Sequence, residues 1–386
     1  MQTALAWSEI DDARACAQDL AQQIRGGLEA APTAIMLFAA PSLDHETLLH
    51  VLADEFDGAL IAGSSSAGEF MNQHRGVGLA CAIGIRGDDV RFGLSVGRNL
   101  AADPVGAARE MATGLTPADK STGSYRSALL MTDALAGHAD VLLDELNLAT
   151  NGQYQFFGGG AGDNAQFQKT SVFCGREVVT GGAVALEIIS DKPVGIGVSH
   201  GWEPASRAHR ASEVDGMRLV SLDGMPAVEA FESHATELGV SFKRPDPLPF
   251  FLHNILGVDT GVGHQLRVPL AVLEDGSILC AAEIPEGSIV RIMRTSQASA
   301  VEAADRATQA ALAGLGDATP GAALFFDCVA TRLRLGDGFG EEIASVRDRL
   351  QGADMMGCNT HGQIARAEGQ FQGFHNCTAV VCVLPE

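Results

Sequence analysis

Three glycine-rich segments could bind a ligand, because each follows an apolar run that predicts a buried strand. They are GSSSAGE from Gly63, GGGAGD from Gly158 and GCNTHGQ from Gly357. Glycine lets backbone N–H groups face a ligand, and hydroxyls add further donors, which suits a carboxylate or a phosphate. The alternative is a tight turn that needs glycine for its backbone geometry. We predict a pocket lined by these turns through Ser64, Ser65, Ser66, Gly159, Gly160, Asn359 and Thr360.

Other polar side chains near these turns extend the predicted ligand site. Glu69, Asp163 and Gln363 are predicted to occupy corresponding positions after the turns, where they bind an amine or, as we favour, cap backbone N–H groups. Arg332 follows Cys328 in the segment DCVATR. An arginine near a strand end suits bidentate carboxylate recognition, or else a structural ion pair. We include Cys328 in the site but interpret it as a packed thiol, since nothing in the sequence indicates a lowered pKa.

Two histidines are candidates for a haem iron. Axial ligation needs an accessible imidazole above an apolar slot, and His361, which is also a predicted ligand contact, and His375 are the candidates. The sequence has no CxxC, CxxCH or HxxxH spacing, so neither covalent haem nor structural zinc is expected. A serine hydrolase is not favoured either, because the serine run from Gly63 to Ala67 lacks the GxSxG spacing.

The elements that position these residues repeat along the chain as strand, helix, strand and turn. The turn glycines are 95 and 199 residues apart, and 199 is close to twice 95. We therefore predict four related units of about 97 residues, paired as two halves, with a degenerate unit near position 258. Strands that directly follow strands predict an α/β fold of mixed α+β type, with mixed or antiparallel sheets flanked by helices.

Composition and charge exclude several classes of protein. The 386 residues include 26 Lys+Arg and 48 Asp+Glu, for a net charge of -22. Such a surface repels phosphate backbones and anionic lipids, so neither nucleic acid nor membrane is an expected partner. No signal peptide and no apolar run of about 18 residues is apparent, which predicts a cytoplasmic protein with free cysteines.

Several motifs, in order, resemble one known family. AGSSSAGEF, FFGGGAGDNAQFQKTSVFCG and PVGIGVSHGWEP resemble the N-terminal FIST domain, whereas LRVPLAVLEDGSILCAAEI, DCVATRLRLG and GCNTHGQIAR resemble the C-terminal one. The resemblance covers residues 30–386. It implies a FIST N-type domain over 30–222 and a FIST C-type domain over 223–386, and the residues before them, 1–29, are predicted to form an N-terminal helical segment. The helix itself is predicted over 8–26, with Ser8 as its N-cap.

The resemblance also implies a function. It implies a bacterial, non-enzymatic sensor that binds a small ligand and signals to a separate partner, such as a histidine kinase, a chemoreceptor or a cyclic-dinucleotide enzyme. Some members of this family resemble haem-based nitric oxide sensors, and others are suspected amino-acid sensors. We therefore expect an amino acid-like ligand, with haem b and nitric oxide as the alternative, a small-molecule hydrolase as the second alternative, and a homodimer left open.

The last turn departs from the family pattern. It usually resembles GFxTYGEI, whereas here His361 and Gln363 replace an aromatic and an acidic residue. If that turn lines the pocket, the ligand of this protein differs from the family's usual one.

Overall fold

Three six-stranded sheets with one common strand order form the body of the protein. The structure is a computed structural model that describes residues 1–72, 74–117, 125–367 and 373–386. Sheet 1 contains, in spatial order, β1 (Gln2–Ser8), β6 (Ala80–Arg86), β2 (Ala34–Ala39), β3 (Leu60–Ser65), β10 (Val172–Cys174) and β11 (Glu177–Val179). Sheet 2 contains β7 (Val90–Gly97), β12 (Ala183–Ser190), β8 (Tyr125–Thr132), β9 (Gln155–Gly160), β25 (Gln363–Arg366) and β26 (Gly373–His375). Sheet 3 contains β13 (Gly195–Ser199), β27 (Ala379–Pro385), β23 (Pro320–Cys328), β24 (Asp354–Thr360), β4 (Glu69–Met71) and β5 (His74–Gly76).

Each sheet is completed by a hairpin from another repeat. The first repeat contributes the β4–β5 hairpin to sheet 3, the second contributes β10–β11 to sheet 1, and the third contributes β25–β26 to sheet 2. Within each sheet only the second and third strands of the repeat run parallel, and the other pairs are antiparallel. The exchange is therefore cyclic, and it joins the three repeats into one closed ring.

The repeats share a glycine at one place because two backbones approach closely there. A Cβ atom on Gly63 would lie 1.7 Å from the carbonyl oxygen of Leu37 in the parallel neighbouring strand. The corresponding distance is 2.3 Å at Gly158 and 1.9 Å at Gly357. These glycines lie inside strands β3, β9 and β24. The turns therefore begin a few residues after the glycines, whereas the sequence pattern predicts that each turn starts at its glycine.

Helices cover the outer faces of the sheets, and the inner faces share a common apolar core. The edge-to-face pair of Phe38 and Phe326, with ring centroids 5.5 Å apart, joins sheets 1 and 3 in this core. Asp12 caps the first helix through the N–H of Ala15, so the predicted cap at Ser8 is wrong and Ser8 ends a strand instead. The helices of the three repeats are α1 (Ala13–Gly27), α2 (His45–Glu55), α3 (Pro104–Gly114), α4 (Ala139–Ala149), α7 (Gln297–Gly314), α8 (Val329–Leu335) and α9 (Phe339–Arg349).

A segment with its own topology is inserted between β13 and α7. Its strands form an entirely antiparallel fourth sheet, packed on two helices. The strands are β14 (Glu203–Pro204), β15 (His209–Asp215), β16 (Arg218–Leu222), β17 (Met225–Pro226), β18 (Ile255–Asp259), β19 (His264–Arg267), β20 (Pro269–Val272), β21 (Ile278–Cys280) and β22 (Ile289–Arg294). The helices are α5 (Ala227–Leu238) and α6 (Leu248–Phe251). Buried Arg267 anchors the insert to the second repeat through Asp140, 2.8 Å away.

The structure confirms the predicted α/β class with mixed and antiparallel sheets flanked by helices. It contradicts the fourth repeat unit near position 258, because the insert lacks the parallel strand pair that marks the other three. It also replaces the first part of the helical segment over 1–29 with strand β1. Within the described residues, no helix combines the length and the apolar character needed to cross a membrane.

Replacement of Gly357 by alanine is expected to destabilise the protein by roughly 3 kcal/mol, since the new methyl group overlaps the Phe325 carbonyl. Urea unfolding followed by circular dichroism measures this change. Gly26→Ala is the matched control, because nothing lies within 4 Å of that position in α1 and alanine favours a helix. Equal stability of the two variants would contradict the close-approach explanation.

Candidate functional site

A ring of backbone hydrogen bonds joins the three predicted turns. Each turn donates one backbone N–H group to a carbonyl oxygen at the strand end of a neighbouring repeat, over distances of 2.8–2.9 Å. The donors and acceptors are Gly162 to Ser65, Ala67 to Asn359, and His361 to Gly160. A second set of N–H groups is also used within the chain, at Ser65, Ser66, Gly160, Ala161 and Asn359. All of these N–H groups are therefore already used by hydrogen bonds within the protein, some of which join one repeat to another.

The serine run lies inside the protein. Ser64, Ser65 and Ser66 are buried, and the hydroxyl of Ser66 donates to the carboxylate of Glu69. The structure therefore separates the predicted site residues into distinct groups rather than bringing all of them to one pocket.

Glu69 and Gln363 occupy corresponding positions, and Val172 takes this position in the second repeat. The strand register shows this correspondence. Glu69 pairs with Cys358, Gln363 with Gly159 and Val172 with Ser64, and each partner directly follows the shared glycine of its repeat. The predicted correspondence of Asp163 is therefore wrong. In the third repeat the amide of Gln363 donates to Thr360 Oγ1 at 2.8 Å, which reverses the direction of the Ser66–Glu69 bond.

Asp163 holds its own loop. Its carboxylate accepts hydrogen bonds from the N–H groups of four successive residues, 166–169, over 2.7–3.1 Å. Although burial opposes it, these bonds keep the pKa of Asp163 below its usual value. The loop also places Phe167 on the ring of His361, with centroids 4.8 Å apart. This arrangement supports the capping interpretation for Asp163.

A polar cleft of about 390 Å³ lies on one side of α8. We call it the polar cleft, and it brings together the predicted residues Glu69, Arg332 and Asn359. Arg332 Nε and Asn359 Nδ2 are buried and have no hydrogen-bond partner among the described residues. Burial raises the pKa of Glu69 to about 7, although Ser66, Leu79 N–H and Arg332 favour its charged form. The exposed residues Arg75 and Asp337 at the rim of this cleft were not predicted.

An apolar cavity of about 330 Å³ lies on the other side of α8, between the repeats and the insert. We call it the apolar cavity. Of the predicted site residues it contains Cys328 and His361, and Asn376 is an addition that the sequence did not indicate. Its apolar lining comes mainly from Leu135, Val268, Leu270, Leu279, Val329 and Ala330.

The environment of Cys328 differs from that of an ordinary packed thiol. A hydrogen bond from the thiol of Cys377 lowers its pKa to about 6 against the effect of burial, with help from the N–H groups of Cys377 and Ala330 and the Gln363 amide. Cys280 lines the same cavity, but burial raises its pKa to about 12. Cys328 is a buried, packed thiol as predicted, but donors from distant parts of the sequence favour its thiolate form.

The two histidines predicted as haem ligands lie in different surroundings. His361 lines the apolar cavity, and burial lowers its pKa to about 4, so its imidazole is neutral at pH 7. His375 lies in β26, is fully buried and does not line that cavity. Within the described part of the chain, no group of three or more His, Cys, Asp or Glu side chains is placed to hold a metal ion.

Two models of one protein family together match most of the chain. The model of the FIST N domain matches residues 33–225, and that of the FIST C domain matches residues 228–366. No curated protein matches the chain. Among solved structures, cyanuric acid hydrolase from A. caulinodans is similar at 8% identity and a TM-score of 0.31, covering 100% of this chain and 99% of that one. PurL from T. maritima, complexed with FGAR, is similar at 11% identity and a TM-score of 0.24, covering 99% and 72%.

Replacement of Glu69 by glutamine is expected to stabilise the protein above pH 7 and not below pH 4.5. The folded state raises the pKa of this carboxyl from 4.5 to about 7, so the cost of its charge is absent below pH 4.5 and complete above pH 7. The gain above pH 7 is roughly 3 kcal/mol. Gln363 shows that an amide fits the corresponding position.

Urea unfolding at both pH values measures this difference. The exposed Glu29→Gln variant is the control and should change stability little at either pH. A Glu69→Gln variant that is equally stabilised, or equally destabilised, at both pH values would contradict the raised pKa.

Proposed function

The chain belongs to the FIST family, whose domains sense small ligands, and on that premise we propose that it binds an amino acid-like ligand in the polar cleft. The observation that carries this proposal is the pair of buried donors, Arg332 Nε and Asn359 Nδ2, which have no hydrogen-bond partner among the described residues and belong to residues that line one cleft. A buried donor without a partner costs about 1–3 kcal/mol, and a ligand oxygen removes that cost.

A carboxylate is the group that fits these donors. A guanidinium binds carboxylate oxygens through strong, charge-assisted hydrogen bonds, and the Asn359 amide supplies one more donor. Glu69 lies in the same cleft and has a pKa of about 7, so it can take a negative charge when an ammonium group approaches. Together these residues suit a zwitterion, whose two charges match Arg332 and Glu69. The global charge of -22 does not oppose a ligand that is itself neutral overall.

Signalling follows if the ligand binds one arrangement of the cleft more tightly than another. The cleft is formed by α8, by β24 and by the β4–β5 hairpin, which the first repeat contributes to sheet 3. A ligand that bridges Arg332 on α8 and Glu69 on this hairpin would draw two repeats together. The energy available for signalling is at most the difference between the ligand's binding free energies for the two arrangements of the cleft. We infer that a separate partner in the cytoplasm, such as a histidine kinase, reads this change, and that the role is binding rather than catalysis.

An Arg332→Gln variant is expected to bind the ligand about tenfold to a hundredfold more weakly, because one charge-assisted hydrogen bond is lost. Thermal-shift screening of the free amino acids identifies a ligand, and calorimetry then measures its affinity. Arg109→Gln, an exposed change on α3, is the control and should bind as the natural protein does. The proposal fails if no amino acid raises the melting temperature, or if both variants bind equally well.

Haem b in the apolar cavity is a second candidate, and the placement of His361 is the observation that favours it. A neutral imidazole on an apolar wall suits an axial ligand, and Nδ1 of His361 has no hydrogen-bond partner among the described residues. Haem held there would supply iron that binds nitric oxide. His375 does not fit this role, since it is fully buried outside the cavity.

If haem binds, hemin titration is expected to give a saturable Soret band that His361→Ala abolishes. His50→Ala, at an exposed position on α2, should leave the band unchanged. The haem alternative fails if hemin gives no saturable spectrum, or if His361→Ala binds it with the same spectrum and affinity.

A further inference from the structure

Cys328 occupies a place where the second repeat has a carboxylate. Asp327 pairs with Asn359 across β23 and β24, as Thr132 pairs with Gly160 across β8 and β9. The next residue is Cys328 in the third repeat and Asp133 in the second. The sulfur and the carboxylate therefore lie at equivalent positions of the fold.

The same backbone groups face both side chains. Asp133 accepts hydrogen bonds from the N–H groups of Leu135, at 3.1 Å, and Gly181, at 2.6 Å. The equivalent groups in the third repeat are the N–H groups of Ala330 and Cys377, and both lower the pKa of Cys328. This cradle holds an anion in the second repeat. It therefore favours the thiolate form at the equivalent position in the third.

Cys377 is held in a conformation that glycine adopts in the other two repeats. Its equivalents are Gly78 and Gly181, with φ of 86° and 64°, and Cys377 itself has φ of 49°. A residue other than glycine in this left-handed region carries a conformational cost, and such strain is often kept at functional sites. Here the strained residue belongs to the same hydrophobic cluster as Cys328, and its thiol lowers the pKa of Cys328.

Gln363 is the third residue that donates to Cys328, and it is one of the two departures from the family pattern in the last turn. The Gln363 side chain is fixed by two hydrogen bonds, to Thr360 Oγ1 at 2.8 Å and from the N–H of Thr378 at 3.2 Å. Its amide also faces the sulfur of Cys328. A glutamate at this position would place a second negative charge beside the thiolate.

We propose that Cys328 is an oxidant-sensitive thiolate on the wall of the apolar cavity, and that Cys377 resolves its oxidised form by closing a disulfide. A hydroperoxide entering the cavity is the oxidant. The sulfur of Cys328 attacks its terminal oxygen, the O–O bond breaks, and the departing alkoxide takes a proton and leaves as an alcohol. Cys377 then loses its thiol proton as its sulfur attacks the sulfenic sulfur, the S–O bond breaks, and the departing hydroxide takes up that proton and leaves as water. The two sulfurs are oxidised and the peroxide is reduced.

The disulfide would change both sites. It would join β23 to the segment that follows β26, and it would remove the thiolate from a wall of the apolar cavity. Because α8 begins directly after Cys328, oxidation also bears on the helix that carries Arg332. This inference does not depend on the proposed amino acid ligand, since it concerns a different cavity.

The first test compares two cysteines of the same cavity. Iodoacetamide at pH 7 is expected to alkylate Cys328 at least about tenfold faster than Cys280, because only Cys328 is largely ionised. Gln363→Glu should slow alkylation of Cys328 about tenfold, which corresponds to a rise of one unit in its pKa. Gln18→Glu, exposed on α1, is the control and should leave the rate unchanged. Asp327, Arg334 and Cys377 are the other titratable or charged groups near the sulfur.

The second test uses hydrogen peroxide on the whole protein, followed by mass spectrometry of non-reduced peptides. A crosslink between 328 and 377 is expected, and Cys280→Ser should retain it. Cys377→Ser should instead leave a sulfenic acid that dimedone traps on Cys328. Cys328→Asp is the control that should fold but cannot form the crosslink, since Asp133 occupies the equivalent position in the second repeat. The proposal is overturned if Cys328 stays reduced, if it crosslinks to another cysteine, or if it reacts no faster than Cys280.

Discussion

The contact between the three repeats at the ends of their parallel strands governs the rest of the molecule. Three backbone hydrogen bonds of 2.8–2.9 Å close a ring there, and glycines at 63, 158 and 357 let the paired strands come close enough to form it. Because the ring uses one N–H group of each turn, these three groups are not available to a ligand, and the donors proposed for the ligand are side chains. Both cavities accordingly lie beside the ring, where α8 separates them.

Differences between the repeats, rather than their common plan, give the protein its chemistry. The third repeat has Cys328 where the second has Asp133, and Cys377 where the others have glycine. The third repeat also receives the insert, between its first strand and its first helix. Residues of the insert form one wall of the apolar cavity. A symmetric ring thus carries one asymmetric site, and the asymmetry follows from a few side chains and one insertion.

The sequence predicted the local elements well, because apolar runs and caps depend on neighbours in the chain. The predicted order of strand, helix, strand and turn is present in each of the three repeats, and the helix predicted over 8–26 corresponds to α1, Ala13–Gly27. The hairpin exchange could not be predicted, since it pairs residues as far apart as Glu69 and Cys358. The pKa of Cys328 was misjudged for the same reason, because its donors at 363 and 377 lie far along the chain. Arg332, Asn359 and Glu69 belong to the predicted ligand site and line one cleft, and their role in binding stays a prediction.

The cyclic exchange of hairpins has a consequence for how the protein folds and how it could evolve. Stacked repeat proteins can gain or lose a unit at an end, because each unit contacts only its neighbours. Here every sheet lacks two strands until another repeat supplies them, and the last repeat must return to the second. No single repeat contains a complete sheet, so folding requires closure of the whole circle over long sequence distances. The number three is consequently a property of the closed circle as a whole, and a fourth unit could be added only if the circle opened and closed again around four units.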